Sequence, residues 1–355
     1  MKGVSLLAFF LGGTILLFVL FAPSVAIALP DDQPVSTIAN RLVNKQDPNG
    51  AWPSEGDFTG SIVAGLAIAY QTTSNLAYKT AAELGGSYIL NLHGDNPFGD
   101  EAYTLALLSD ITKDPNYANA VKDFYNSLDT YAYIWGFKGT DPSNAVFYIA
   151  QHVVAAHKVG AKDAGIWRDA LIQYLSQIDD DIAYYPVMSL GVATWALAQT
   201  GPMDDTKIDP FGLTGEDYWK GVTLSNLPAL LSGHQVLSGK YAGSFYHRFD
   251  HTAAGLDYQE SGYTEDTVFG VLGLLAANKA DVNLNLWANI ILGRTALATG
   301  VAADGIVYEH IWLKGASYYT YAGEVLQAFA PISEAGYVAL IEYLNNVTNV
   351  SNTQD

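Results

Sequence analysis

The feature that most constrains this chain is a recurrence, about every 40 to 60 residues, of an apolar helix-forming stretch, a loop, and an amphipathic stretch. Six stretches are apolar almost all round: 59–70, 100–111, 142–158, 186–199, 265–278 and 321–330. A helix without a polar face has to be covered on every side. Between them, 78–92, 116–128, 164–178, 224–237, 282–298 and 333–344 carry Lys, Arg, Asp or Glu at helical spacing on one face, as helices half in water do. Covered helices alternating with half-exposed ones predict an all-α protein, an (α/α)6 toroid with one ring inside another. Gly65, Ala67, Gly191, Ala193, Gly270 and Gly273 in the covered set allow close helix approach. A parallel β/α chain would need β-branched runs between the helices, and the connections are instead rich in Gly, Pro, Asp and Tyr. An open solenoid uses the same pairs, but six pairs is the number that closes. The long connections 200–224 and 239–264 are expected to lie across one rim, where loops of that length often carry function.

Charge and composition narrow the function. The 355 residues hold 36 acidic and 17 basic side chains, a net charge of −19, with four Arg and no cysteine. Disulfides, thiolate metal sites and a cysteine nucleophile are excluded. Nucleic acid is excluded as a partner, because phosphate binding needs clustered Lys and Arg. At the N-terminus, Lys2, an apolar run to about Phe21 and the triplet Ala26-Ile27-Ala28 have the layout of a secretory signal. The division expected is a signal peptide or membrane anchor over 1–28, a toroid over 31–344 and a polar tail over 345–355. The folded part is then secreted or extracytoplasmic, at the cell surface or in the periplasm, and meets a membrane only through an uncleaved N-terminal segment. The tail carries glycosylation triplets at Asn346 and Asn349.

Before the first covered helix stands Gln46-Asp-Pro-Asn-Gly50-Ala-Trp52, and a looser copy, Gln235 through Gly243-Ser-Phe245, precedes the fifth. Trp135-Gly-Phe137 and Asp304-Gly305-Ile-Val-Tyr308 echo it before the third and sixth. This pattern resembles the Gln/Trp repeat motif of the terpenoid cyclase and protein prenyltransferase toroids. The resemblance implies a ring of helix pairs with Gln and Trp tying its loops together. The family's Asp-x-Asp-Asp acid is absent, since Asp179-Asp180-Asp181 fails in either register, and the prenyltransferase zinc set lacks its cysteine.

In a toroid the loops entering the inner helices converge on one mouth, so acidic and aromatic residues there are the candidate site. The catalytic candidates are Asp57, Asp100, Glu101, Glu265 and Asp266, with Asp141 and Glu324 beside them, because paired carboxylates can act as acid and base on a glycosidic bond. The competing role for several is capping: Asp100, Asp141 and the Glu265-Asp266 pair all sit where helix starts favour acids. The substrate-contacting candidates are Trp52, Trp135, Tyr185, Tyr246, His247, Arg248, His251 and Tyr319, since flat rings with a polar edge suit sugar faces or an isoprenoid. His247 and His251 with Asp250 between them do not complete a metal signature, and His152 and His157 are expected in the core or lining the cavity. No cofactor is expected; the Asp179–Asp181 run is the one place where calcium could bind. Three functions follow in order: binding or cleaving a neutral or weakly charged glycan, a non-catalytic surface or envelope scaffold, and terpenoid processing.

Overall fold

The computed structural model describes residues 32–53, 59–210, 217–250, 261–281 and 285–331. The leader, the 333–344 stretch, the polar tail, Asp57 and His251 lie outside the described residues. The described chain is all-helical: α1 Asp32–Lys45, α2 Gly60–Thr73, α3 Leu76–His93, α4 Gly99–Thr112, α5 Pro115–Ser127, α6 Thr130–Trp135, α7 Pro142–Lys158, α8 Ala164–Leu175, α9 Pro186–Thr200, α10 Leu227–Gly233, α11 Thr264–Ala280, α12 Trp287–Gly300 and α13 Tyr319–Ala328. Local chemistry sets many starts: Asn75, Asp114 and Asp141 accept a backbone N–H two residues on, and Pro115, Pro142 and Pro186 occupy the first helical position.

The covered stretches are the inner ring. Helices α2, α4, α7, α9, α11 and α13 each pack on the next, and α13 packs back on α2, closing the circle. At that seam Gly65 of α2 and Gly323 of α13 meet backbone to backbone, and a Cβ on either would overlap the other helix. Thr72 Oγ1 donates to Phe329 O at 3.5 Å, so the two helices run the same way. Gly191 of α9 and Gly273 of α11 make a second close approach.

The outer ring is α3 on α2, α5 on α4, α8 on α7, α10 on α9 and α11, and α12 on α11. The stretch expected at 224–237 is shorter than its pattern: a 3-10 turn at Leu224–Asn226 leads into a helix of seven residues. Among the described residues, α1 packs beside the seam on α2 and α13. That helix is absent from the sequence expectation, and the expected partner 333–344 lies outside the described residues. Its signal is nonetheless present: Val35, Ile38, Ala39 and Leu42 recur at helical spacing and are fully buried.

The Gln/Trp-like loops share one geometry. Gln46 Nε2 donates to Gly50 O at 3.1 Å and to Ala81 O of α3 at 2.9 Å. Gln235 Nε2 donates to Gly243 O at 3.1 Å and to Asn289 O of α12 at 2.8 Å. Gly50 and Gly243 both hold left-handed backbone (φ 99° and 95°) and press on the same two outer helices, where any Cβ would strike Leu84 O or Leu292 O. The 301–307 loop repeats the turn, with Gly305 (φ 82°) pressed on Thr37 of α1. Helix α1 therefore stands to the last inner helix as α3 and α12 stand to theirs. Trp135-Gly-Phe137 does not repeat it, because these residues lie at the end of α6.

One correction follows for a site candidate. Trp52 is 2 % exposed, its Nε1–H donates to Leu42 O at 2.9 Å, and it packs near Gly85. It is a core residue packed between helices.

Candidate active site at the mouth of the inner ring

The parallel inner helices present their N-termini to one end, and the loops before α7, α9, α11 and α13 stand around it. On the α11–α13 side, Glu265, Asp266, Glu309, Glu324, Tyr321 and Tyr185 interact electrostatically. Burial, reinforced by Asp266 and Glu309, pushes the Glu265 carboxyl up to about 7, against a smaller opposing pull from His247. Burial and the same carboxylates raise the Tyr321 and Tyr185 phenols.

Asp266 is 1 % exposed, and its Oδ2 lies 2.8 Å from His247 Nδ1. The His247 ring lies edge-on to Tyr185 at 5.5 Å and against Tyr263 at 4.9 Å. What holds His247 there is the next residue: Arg248 Nη1 donates to Asp180 O at 2.8 Å and Ala183 O at 3.1 Å. Asp180 in turn accepts the N–H groups of Phe249 and Asp250 at 2.8 and 2.6 Å. Arg248 is thus a staple for the loop. Asp179 Oδ1 likewise accepts from Asp181 N and Ile182 N, both at 2.9 Å, so these two carboxylates serve backbone groups in a turn. Among the described residues no three metal-ligating side chains gather.

Below the mouth, on the ring axis, Ser61, Asp100, Tyr103, Gln151, Trp195, Phe269, Leu272 and Gln327 line a small space with room for about one water-sized group. Asp100 is 9 % exposed, its Oδ2 accepts from Ser61 N at 3.2 Å, and burial raises its carboxyl.

The other candidates are dispersed. Glu101 is 1 % exposed and turned outward, accepting from Phe98 N at 3.0 Å and pairing with His93 Nδ1 at 2.8 Å. Burial is the main reason its carboxyl rises to about 7, although His93 pulls the other way. Asp141 caps α7 and also accepts from Tyr184 N at 3.4 Å. Tyr319 lies under Arg41 of α1, 5.7 Å from the guanidinium, on the outer-ring side. Tyr246 is half-buried and bridges to Ser261. Trp135 is 66 % exposed with Lys138 Nζ 4.1 Å above its ring. His152 is buried, stacked on Trp167 at 4.6 Å and held by Tyr125. Glu309, Tyr321 and Gln151 escape the sequence analysis: Glu309 belongs to no motif, and the other two sit within helices whose facing depends on ring closure.

These features define an all-α toroid with an acidic, aromatic mouth. A scan against protein-family models and a search of curated proteins find no match. Among solved structures, the chain is similar to a family 76 glycoside hydrolase from a bovine Bacteroides thetaiotaomicron strain, with a TM-score of 0.52 and 11% identity over 89% of this chain and 79% of that one. At that identity the likeness shows the fold alone. No helix among the described residues is long and apolar enough to cross a membrane.

Proposed function

We propose that this protein is an exported toroid that binds and cleaves a neutral or weakly charged glycan at its mouth. The observation that carries the reading is Glu265: a carboxyl held near neutrality by burial, among Tyr185, Tyr321, Glu309 and the Asp266–His247 pair. A carboxyl that keeps its proton near pH 7 suits a general acid for the leaving sugar oxygen, and a second, hydrogen-bonded carboxylate suits its charged partner. In this reading Glu265 is the acid and Asp266, held by His247, is the partner. The tyrosine rings supply faces for sugar, and the surplus of acids turns away anionic polysaccharides. The glycoside hydrolase likeness supports a glycan as ligand.

A scaffold without catalysis is the second reading, favoured by Glu101 and Asp141, which are spent on helix ends. A terpenoid role has no Asp-x-Asp-Asp acid in its support. The deciding experiment is a glycan-array binding and hydrolysis screen, with and without calcium, beside Glu265→Gln/Asp266→Asn. Cleavage that the double variant abolishes while remaining folded is the expected result. Binding without cleavage leaves the scaffold, and silence across the array refutes both glycan roles.

A further inference from the structure

The axial space beneath the mouth holds a polar group that the fold itself does not satisfy. Gln151, on the inner face of α7, is 5 % exposed, and its Oε1 has no hydrogen-bond partner. A buried acceptor left unpaired costs stability comparable to a lost hydrogen bond, so one retained at the centre of a ring calls for a partner from outside the chain. The neighbouring amide is already used, since Gln327 Nε2 donates to Ser61 O at 3.2 Å. Across the same space stands Asp100. Ser61 also stands on the wall, and its apolar and aromatic part is Trp195, edge-on to Tyr103 at 5.1 Å, with Phe269 and Leu272. Above it, Phe147 meets Phe269 edge to face at 5.3 Å.

We propose that this axial well seats one uncharged hydroxyl-bearing arm of a sugar, its O–H donated to Gln151 Oε1 and its oxygen facing the Asp100 carboxyl. The identity of the occupant as a sugar rests on the glycan reading; the polarity and size of the arm follow from the well. An anionic arm is disfavoured, because the unpaired group it would meet is the Gln151 carbonyl oxygen and the nearest ionisable group on the wall is the Asp100 carboxyl. Burial, which raises the Asp100 carboxyl, suits it to donate a hydrogen bond to a neutral oxygen. A bulky substituent is refused by volume, since the space has room for about one water-sized group, which a single hydroxyl fills. The sugar ring stays in the mouth among the tyrosines, and only the arm descends. Gln151 is then a specificity-determining residue that no motif announces.

The test uses the intact protein with D-glucose, D-mannose and D-galactose and their monodeoxy counterparts, read by saturation-transfer NMR and calorimetry. Gln151→Leu removes the acceptor at similar volume; Leu272→Phe fills the well from the apolar side without touching a polar group, and thermal melting reports whether each is folded. The expected result is binding of at least one hexose that one deoxy position weakens about tenfold or more, with the same loss in both variants. Equal binding by the parent and both folded variants overturns the well, as does a folded parent that binds no hexose at tens of millimolar, which makes the space a water site only. A glycan cleaved with unchanged KM by Gln151→Leu would likewise overturn the well while leaving the Glu265 reading intact. Loss of cleavage in Glu265→Gln is scored separately, so the two proposals fail independently.

Discussion

His247 Nδ1 lies 2.8 Å from Asp266 Oδ2, joining the loop before α11 to that helix's first turn at the mouth of the ring. Deleting the imidazole takes a charge-assisted hydrogen bond from a carboxylate that is 1 % exposed. His247→Ala is expected to lower unfolding stability by about 1–3 kcal/mol. Under the glycan reading it also lowers kcat more than it raises KM. Denaturant melts and steady-state kinetics check both, and a variant as stable and active as the parent would show the pair to be incidental.

Glu265 makes stability depend on pH in a defined direction. Its carboxyl is raised from 4.5 to about 7 in the folded protein, so between those values the folded state holds more protons than the unfolded one. Stability therefore falls as pH rises through that window. Glu265→Gln is expected to match the parent near pH 4 and exceed it by about 1–3 kcal/mol at pH 8. Denaturation curves at the two pH values decide it. If the protein is a hydrolase with Glu265 as its acid, the parent's activity falls on the alkaline side near pH 7 and Glu265→Gln abolishes it.

His152 works with the opposite sign. Burial lowers its imidazole to about 3, so from pH 6.5 downward the unfolded state gains a proton that the folded state refuses, and stability falls with acid. Replacement by Phe is expected to flatten this loss, about 2–3 kcal/mol between pH 7 and pH 4, at a constant cost from the lost Tyr125 hydrogen bond at 2.9 Å. Acid-range melts of the two proteins should converge as pH drops; parallel curves would refute it.

The two loop clamps should be energetically independent. Gln46 and Gln235 each tie a glycine turn to a different outer helix, α3 and α12, with no shared partner. Each Gln→Ala change is expected to cost about 1–3 kcal/mol, and the double variant the sum within about 0.5 kcal/mol. A double variant far from additive would mean that the ring transmits strain between its first and fifth repeats.

Much of the architecture is written in hydrophobic period. Helices that are apolar all round have nowhere to sit except inside other helices, and the Pro142–Lys158 stretch begins and ends where its Asp-Pro start and its apolar run say. The Gln46 and Gln235 turns were legible too, because a glycine held at positive φ beside a bulky apolar residue is a local requirement. Helix α1 carries a clean Val35, Ile38, Ala39 and Leu42 stripe, but it stands before the first covered helix, and only ring closure sets it beside α13 as an outer helix.

What the sequence by itself determined is therefore the class, all-α and ring-forming, together with the acidic, cysteine-free character of its surface, since periodicity and charge are properties of neighbours along the chain. Which residues share the mouth was decided only by tertiary structure. Ring closure through Gly65 and Gly323 brings α13 beside α2, and ring order sets Glu309 and Tyr321 beside Glu265 and Gln151 across from Asp100, positions from 44 to 56 and 51 residues apart in sequence. The same packing buried Trp52, turned Glu101 outward to His93 and set Tyr319 under Arg41. A side chain's type states what chemistry it can do; only the helix rotation that buries one face and frees another decides where it does it.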